Sequence, residues 1–204
     1  MKKMLLRTAG LCGFMLLFCA CKPDAINQLE DSGSALKTVF VDEIAKASSA
    51  NKQIVMITVK ATEGANADLS QEIKGALEKK GLSVVETRSV DLGDPMNYNQ
   101  FGLKAVDFLE VLQRHAGVGA IVSLVGAPIL SANDFGKIPP THPPVLVLAT
   151  RQIGLAFGVP ANPAVIDSML KSKVIQLAVV DGPGSSGSTD TIHKTFDQHF
   201  SILR

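Results

Sequence analysis

The chain has 204 residues, with 20 Lys and Arg against 19 Asp and Glu. The first twenty residues hold Lys2, Lys3 and Arg7 and no acid, so the remainder carries 17 basic against 19 acidic side chains, a formal charge near −2 that gives nucleic acid no electrostatic footprint. Cys12, Cys19 and Cys21 are the only cysteines, which excludes a disulfide, a thiolate nucleophile and a cysteine metal site from residue 22 onward and leaves any domain there to its core alone.

Residues 1–20 have the parts of a secretory signal: a basic start, an apolar middle from about Ala9 to Phe18, and small residues before a cut. The middle is too short to cross a ~30 Å hydrocarbon core, which needs about 20 residues. Phe18-Cys19-Ala20-Cys21 resembles the lipobox of bacterial lipoproteins, in which the cysteine is acylated and becomes the mature amino terminus. The resemblance implies lipidation at Cys21, with acyl chains carrying the membrane affinity. It places the domain in the bacterial cell envelope, outside the cytoplasm, tethered through residues 21–50.

Apolar spacing predicts a helix between Ala25 and Ser49, interrupted at Ser32-Gly33-Ser34 and firm from about Ser34. Ile54 to Val59 reads as a strand buried on both faces. Asp68-Leu69-Ser70-Gln71 has capping-box character for a helix running to Lys80, with Gly81 as its stop. A second strand follows from Leu82 to Thr87, then a helix from about Gln100 to His115 that Gly117 and Gly119 end. Ala120 to Val125 and, after a proline-rich crossing, Val145 to Ala149 read as the third and fourth strands. Asn162-Pro163 opens a helix to about Lys173, and Val174 to Val180 is the fifth strand. Gly182 to Gly187 reads as a flexible linker, and Thr189 to Leu203 as a terminal helix that packs back weakly or a short tail.

This alternation predicts a three-layer α/β domain over residues 51–181, a mostly parallel five-stranded sheet with helices on both faces, Rossmann-like or flavodoxin-like, followed by a linker and terminal segment over 182–204. Ligands of such sheets bind outside the carboxyl ends of the strands. That rule nominates Thr62, Glu63 and Asn66 after the first strand, Asp91 and Asp94 after the second, Arg151 and Gln152 after the fourth, and Asp181 after the fifth. Lys60, Gly93, Gly126, Ala127, Thr150 and Gly182 share the same rim.

The order of Ile54 to Val59, Lys79-Lys80-Gly81, Val84-Val85, Gly117 to Ser123 and Pro144 to Leu148 resembles one lobe of the type I periplasmic binding proteins. Members of that family enclose a solute between two lobes, and the length here suffices for one.

Catalytic chemistry is thin. Ser123 lies in an apolar strand without a nucleophile elbow, and His115 suits the end of a helix. His193 and His199, six apart, do not share a helical face, so neither a metal site nor a catalytic residue is expected. Asp91 and Asp94 read as turn formers before Pro95, with paired carboxylates as the alternative. Ala61 to Asn66 is loosely similar to a flavodoxin phosphate loop, but Glu63 and Asp68 oppose a phosphate. With no Trp and only Tyr98 for stacking, no cofactor is expected. The primary expectation is therefore a non-enzymatic envelope lipoprotein docking as an accessory or scaffold on a membrane-associated assembly. The alternative is a small-molecule binding module at the rim, with FMN binding third.

Overall fold

The computed structural model describes residues 23–60, 65–94, 96–97, 101–150, 162–185 and 187–204, the side chains of 23–30 and 65–68 excepted. In chain order the elements are α1 (Pro23–Ala47), β1 (Gln53–Val59), α2 (Ala65–Lys79), β2 (Ser83–Val90), β3 (Leu103–Lys104), α3 (Ala105–Arg114), β4 (Ala120–Ser123), β5 (Pro128–Ile129), α4 (Ala132–Phe135), β6 (Val145–Ala149), α5 (Pro163–Lys171), β7 (Leu177–Asp181), α6 (Thr191–His199) and β8 (Phe200–Leu203).

The main sheet runs β2-β1-β4-β6-β7-β8, and all neighbours are parallel except β7 and β8. The expected mostly parallel, doubly wound α/β fold is present, with six strands in place of five. The central strands are mainly apolar because both of their faces are covered. Ile54, Met56, Val122, Leu146, Leu148 and Val179 enter one core layer, and Val55, Ile57, Ile121, Val145, Val147 and Ala178 enter the other.

Handedness decides which helix covers which face. A right-handed crossover from β1 to β2 puts α2 on one side, and the crossovers running the opposite way, β2 to β4 and β6 to β7, put α3 and α5 on the other. The α2 face would leave β4, β6 and β7 bare. The first and last helices fill it: Leu36, Val39, Phe40 and Ile44 of α1 and Phe196 of α6 are buried against these strands.

The structure therefore differs from the sequence expectations at both ends. Helix α1 continues through Ser32-Gly33-Ser34, because burial of Ser32, Ala35 and Leu36 outweighs the ~1 kcal/mol that a helical Gly costs. The terminal segment does not pack back weakly. Phe196 and Phe200 are fully buried with ring centroids 5.5 Å apart, and β8 pairs antiparallel with β7 from Asp181↔Phe200 to Ala178↔Leu203. Nor do the described residues of 182–187 form a loose linker. Gly182 and Gly184 donate their N–H groups to His199 O at 2.9 Å and Asp197 O at 2.8 Å, satisfying carbonyls at the end of α6.

Smaller shifts have local causes. Leu103-Lys104 pairs with Pro128-Ile129, so α3 opens at Ala105 and not at Gln100. Asn162 caps α5 as expected, its Oδ1 accepting from Ala164 N at 3.0 Å, and left-handed Lys173 ends the turn beyond it. Pairing along β2 jumps from Ile54↔Val84 to Val55↔Glu86, which leaves Val85 as a bulge. Past it, Arg88 meets Glu110 of α3 at 2.9 Å and Glu86 meets the His115 imidazole at 2.9 Å.

Glu43 ties the two ends of the chain together. Burial alone would raise its pKa, yet hydrogen bonds from Lys46 Nζ at 2.7 Å and from Arg204 hold it below the usual carboxylate range. A carboxyl with a lowered folded pKa stabilises the fold above its unfolded value and loses that contribution as pH falls through the folded one. Arg204→Ala is expected to cost about 1.5 kcal/mol at pH 7. Urea unfolding should show this difference shrinking steadily below about pH 4.5, the ordinary glutamate value; a pH-independent difference would refute the coupling.

Candidate functional site

The strand order reverses between β1 and β4: from β1 the chain moves outward to β2, then returns across β1 to β4 and onward to β6 and β7. The helices that follow lie on opposite faces, α2 after β1 and α4 after β4, and in doubly wound sheets such a reversal is where a ligand crevice forms at the carboxyl ends of the strands.

One wall of the crevice is held rigidly. Leu124 N donates to Ile57 O at 2.9 Å and Gly126 N to Leu148 O at 3.2 Å, so the β4 exit stays fixed to both neighbouring strands. The Ser123 hydroxyl donates to Gly126 O at 2.6 Å and accepts from Val125 N at 3.4 Å. This closes a tight turn that needs the left-handed φ of 84° at Gly126. Ser123 is fully buried in this bonding, a structural hydroxyl as its apolar strand foretold. At the β1 exit, Lys60 N donates to Val90 O at 2.8 Å and its side chain is exposed. Thr150 is buried at the β6 exit.

Three of the sequence-nominated residues can be located by side chain. Asp91 Oδ1 accepts from Gly93 N at 2.9 Å and Asp94 Oδ1 from Met96 N at 2.9 Å, so each carboxylate shapes its own turn. Asp181 ends β7 and is half-buried opposite Phe200. With four strand spacings of about 4.8 Å between β2 and β7, these acids stand ~19 Å apart and cannot share one small ligand. Asn66 is placed by backbone alone, in the first turn of α2. Thr62, Glu63, Arg151, Gln152 and Cys21 lie outside the described residues.

Lys60 belongs among the candidate site residues that the sequence nominated, since it is the exposed cation at the reversal. Its signal was its place directly after the apolar run. Among the described residues no cluster of three or more His, Cys, Asp or Glu is arranged to hold a metal ion, and no helix is long and apolar enough to cross a membrane. His115 caps the end of α3, its backbone N–H donating to Val111 O and its imidazole meeting Glu86 at 2.9 Å. Asp190 caps α6 by accepting from His193 N at 3.0 Å, and the Ser188 hydroxyl followed by His193 holds its pKa down to about 2.

No protein-family model matches the chain, and no curated protein matches it in sequence. Two similar solved structures are a sugar ABC transporter from Actinomyces odontolyticus and an ABC transporter solute binding protein from Burkholderia multivorans. The first has 12% identity and a TM-score of 0.45, covering 72% of this chain and 43% of its own. The second has 14% identity and a TM-score of 0.41, covering 78% and 53%. The chain thus spans about half the length of these proteins.

Proposed function

We propose that the chain is a lipid-anchored envelope domain that binds a small polar solute in the crevice between the carboxyl ends of β1 and β4. The strand reversal at that point carries the reading, because it is the place where a doubly wound sheet opens a ligand-sized gap without distorting its core. It favours solute binding over the docking role that ranked first from sequence. Lys60 and the backbone of the Gly126 turn supply polar contacts at this point, Arg151 is the cation that follows β6 in sequence, and Cys21 supplies the anchor.

A thermal-shift screen of sugars, amino acids, nucleosides and flavins tests the proposal. Binding the native state alone stabilises by about 2.7 kcal/mol at a hundredfold excess over Kd. At roughly 2–4 °C per kcal/mol for a domain of this size, a true ligand should raise Tm by about 5–10 °C. For an anionic hit, Arg151→Ala should weaken binding more than tenfold. Silence across the panel would sink the solute reading.

A further inference from the structure

We infer that the carboxyl-end rim is the membrane-facing surface of the anchored protein, held off the bilayer by an overhang of α1. The inference rests on the proposed acylation of Cys21 and adds to it a direction and a spacing.

Three ion pairs fix how α1 lies. Lys37 meets Glu72 at 2.8 Å, Asp42 meets Lys80 at 2.6 Å, and Glu43 meets Arg204 at the far end of β8. Moving toward the start of α1 therefore means moving toward the start of α2, so the two helices are parallel. Because α2 follows β1 and its amino terminus lies at the carboxyl-end rim, the amino terminus of α1 points to that rim as well. Counting back from the first two pairs sets Ala65, the first residue of α2, level with α1 residues 27 to 30. Pro23 consequently stands four to seven residues higher, a projection of roughly 6–10 Å.

Cys21 is separated from this helix by Lys22 alone. Two residue steps reach at most about 7 Å, whereas the opposite end of the domain lies about 37 Å away along the 25 residues of α1. The acylated end cannot fold back to bring the lower end to the bilayer. Lying on the side of α1 is disfavoured too. Its outward positions Asp31, Ser34, Lys37, Asp42 and Lys46 are polar, and a helix resting in an interface needs an apolar face. What remains is an upright domain whose rim opens into the narrow gap above the lipid headgroups, so a solute leaving the crevice is delivered on the membrane side.

Because nothing after Cys21 is cysteine, single labels are available. Met96→Cys marks the rim, where Met96 is 81% exposed. Lys52→Cys marks the opposite end, one strand length or about 23 Å lower. Each variant, purified acylated from membranes and labelled with a donor, is reconstituted into liposomes holding a headgroup-labelled acceptor lipid. Energy transfer at Met96→Cys should be at least about twice that at Lys52→Cys. Inserting about 30 Gly/Ser residues between Lys22 and Pro23, a coil of ~30 Å, should level the two. Equal or inverted transfer without the insert, or an unlevelled difference with it, would overturn the orientation while leaving the anchor intact. Intact mass lacking acyl chains, or a Cys21→Ser variant still bound to membranes, would overturn the anchor and the orientation with it.

Discussion

Phe40→Ala is expected to remove about 4 kcal/mol of folding stability, a large fraction of the roughly 5–15 kcal/mol that native domains possess. Phe40 is fully buried, and it sits on the helix that precedes the first strand, a position at which an appendage would also be found. The two descriptions differ sharply in cost. A helix that merely hangs on a tether tolerates truncation within about 0.5 kcal/mol. A helix that closes this face together with α6 leaves a phenyl-sized void in the core layer that holds Met56, Val122 and Leu148 when its ring is removed. Urea unfolding of the chain from Lys22 onward, which needs no lipid, measures the difference directly. A loss below 1 kcal/mol would show that α1 is dispensable and that the bare face is covered in another way.

Gly119→Ala should cost about 3 kcal/mol, at the upper end of overpacking penalties, while Gly117→Ala, two residues away, should be neutral to within about 0.5 kcal/mol. A Cβ on Gly119 would fall 1.6 Å from Asn51 O, 2.6 Å from Asn51 C and 3.1 Å from Ser48 Cβ, whereas one on Gly117 would meet nothing within 4 Å. The obstructing atoms are backbone, so they cannot rotate aside. They belong to the turn between α1 and β1, which is itself pinned: Gly119 N donates to Gln53 O at 2.8 Å and Asn51 Nδ2 donates to Gly117 O at 2.6 Å. Thermal unfolding of the two variants side by side is the measurement, and equal Tm values would refute the close approach.

These glycines show where sequence reading stops. Gly117 and Gly119 read in the sequence as the stop of a helix, and α3 ends before them with His115 as its cap, but the close packing of Gly119 exists only because β1 and β4 become neighbours, and no local signal encodes that adjacency. The four central strands were legible for the opposite reason. Val145 to Ala149 is apolar at every position and Ile54 to Val59 at every position but Thr58, a pattern that two-sided burial demands and little else produces. Strand β8 has one buried residue followed by three half-buried ones, so its four residues carry neither the continuous run nor a strict alternation. It is specified by pairing with β7 and by the ring of Phe200, both tertiary.

The rim was legible as a place and not as a chemistry. The apolar runs led to Lys60 just after β1 and to Asp181 at the end of β7, whereas β2, expected to end at Thr87, continues to Val90 and only then exits at Asp91. What the spacing could not tell is that Asp91 and Asp94 turn their carboxylates onto Gly93 and Met96 N–H groups, nor that Asp91 and Asp181 sit at opposite flanks. Those facts depend on the strand order, which is set by crossover handedness and not by composition.

The bulged residue of the outermost strand bears on behaviour at high density. An open row of peptide groups at the end of a sheet invites a strand from another molecule, and natural folds guard against it with irregular pairing and charges turned inward. Val85 supplies the irregularity, and Glu86 and Arg88 supply the charges, already committed to His115 and Glu110. Copies at high density are thereby discouraged from knitting together through that border.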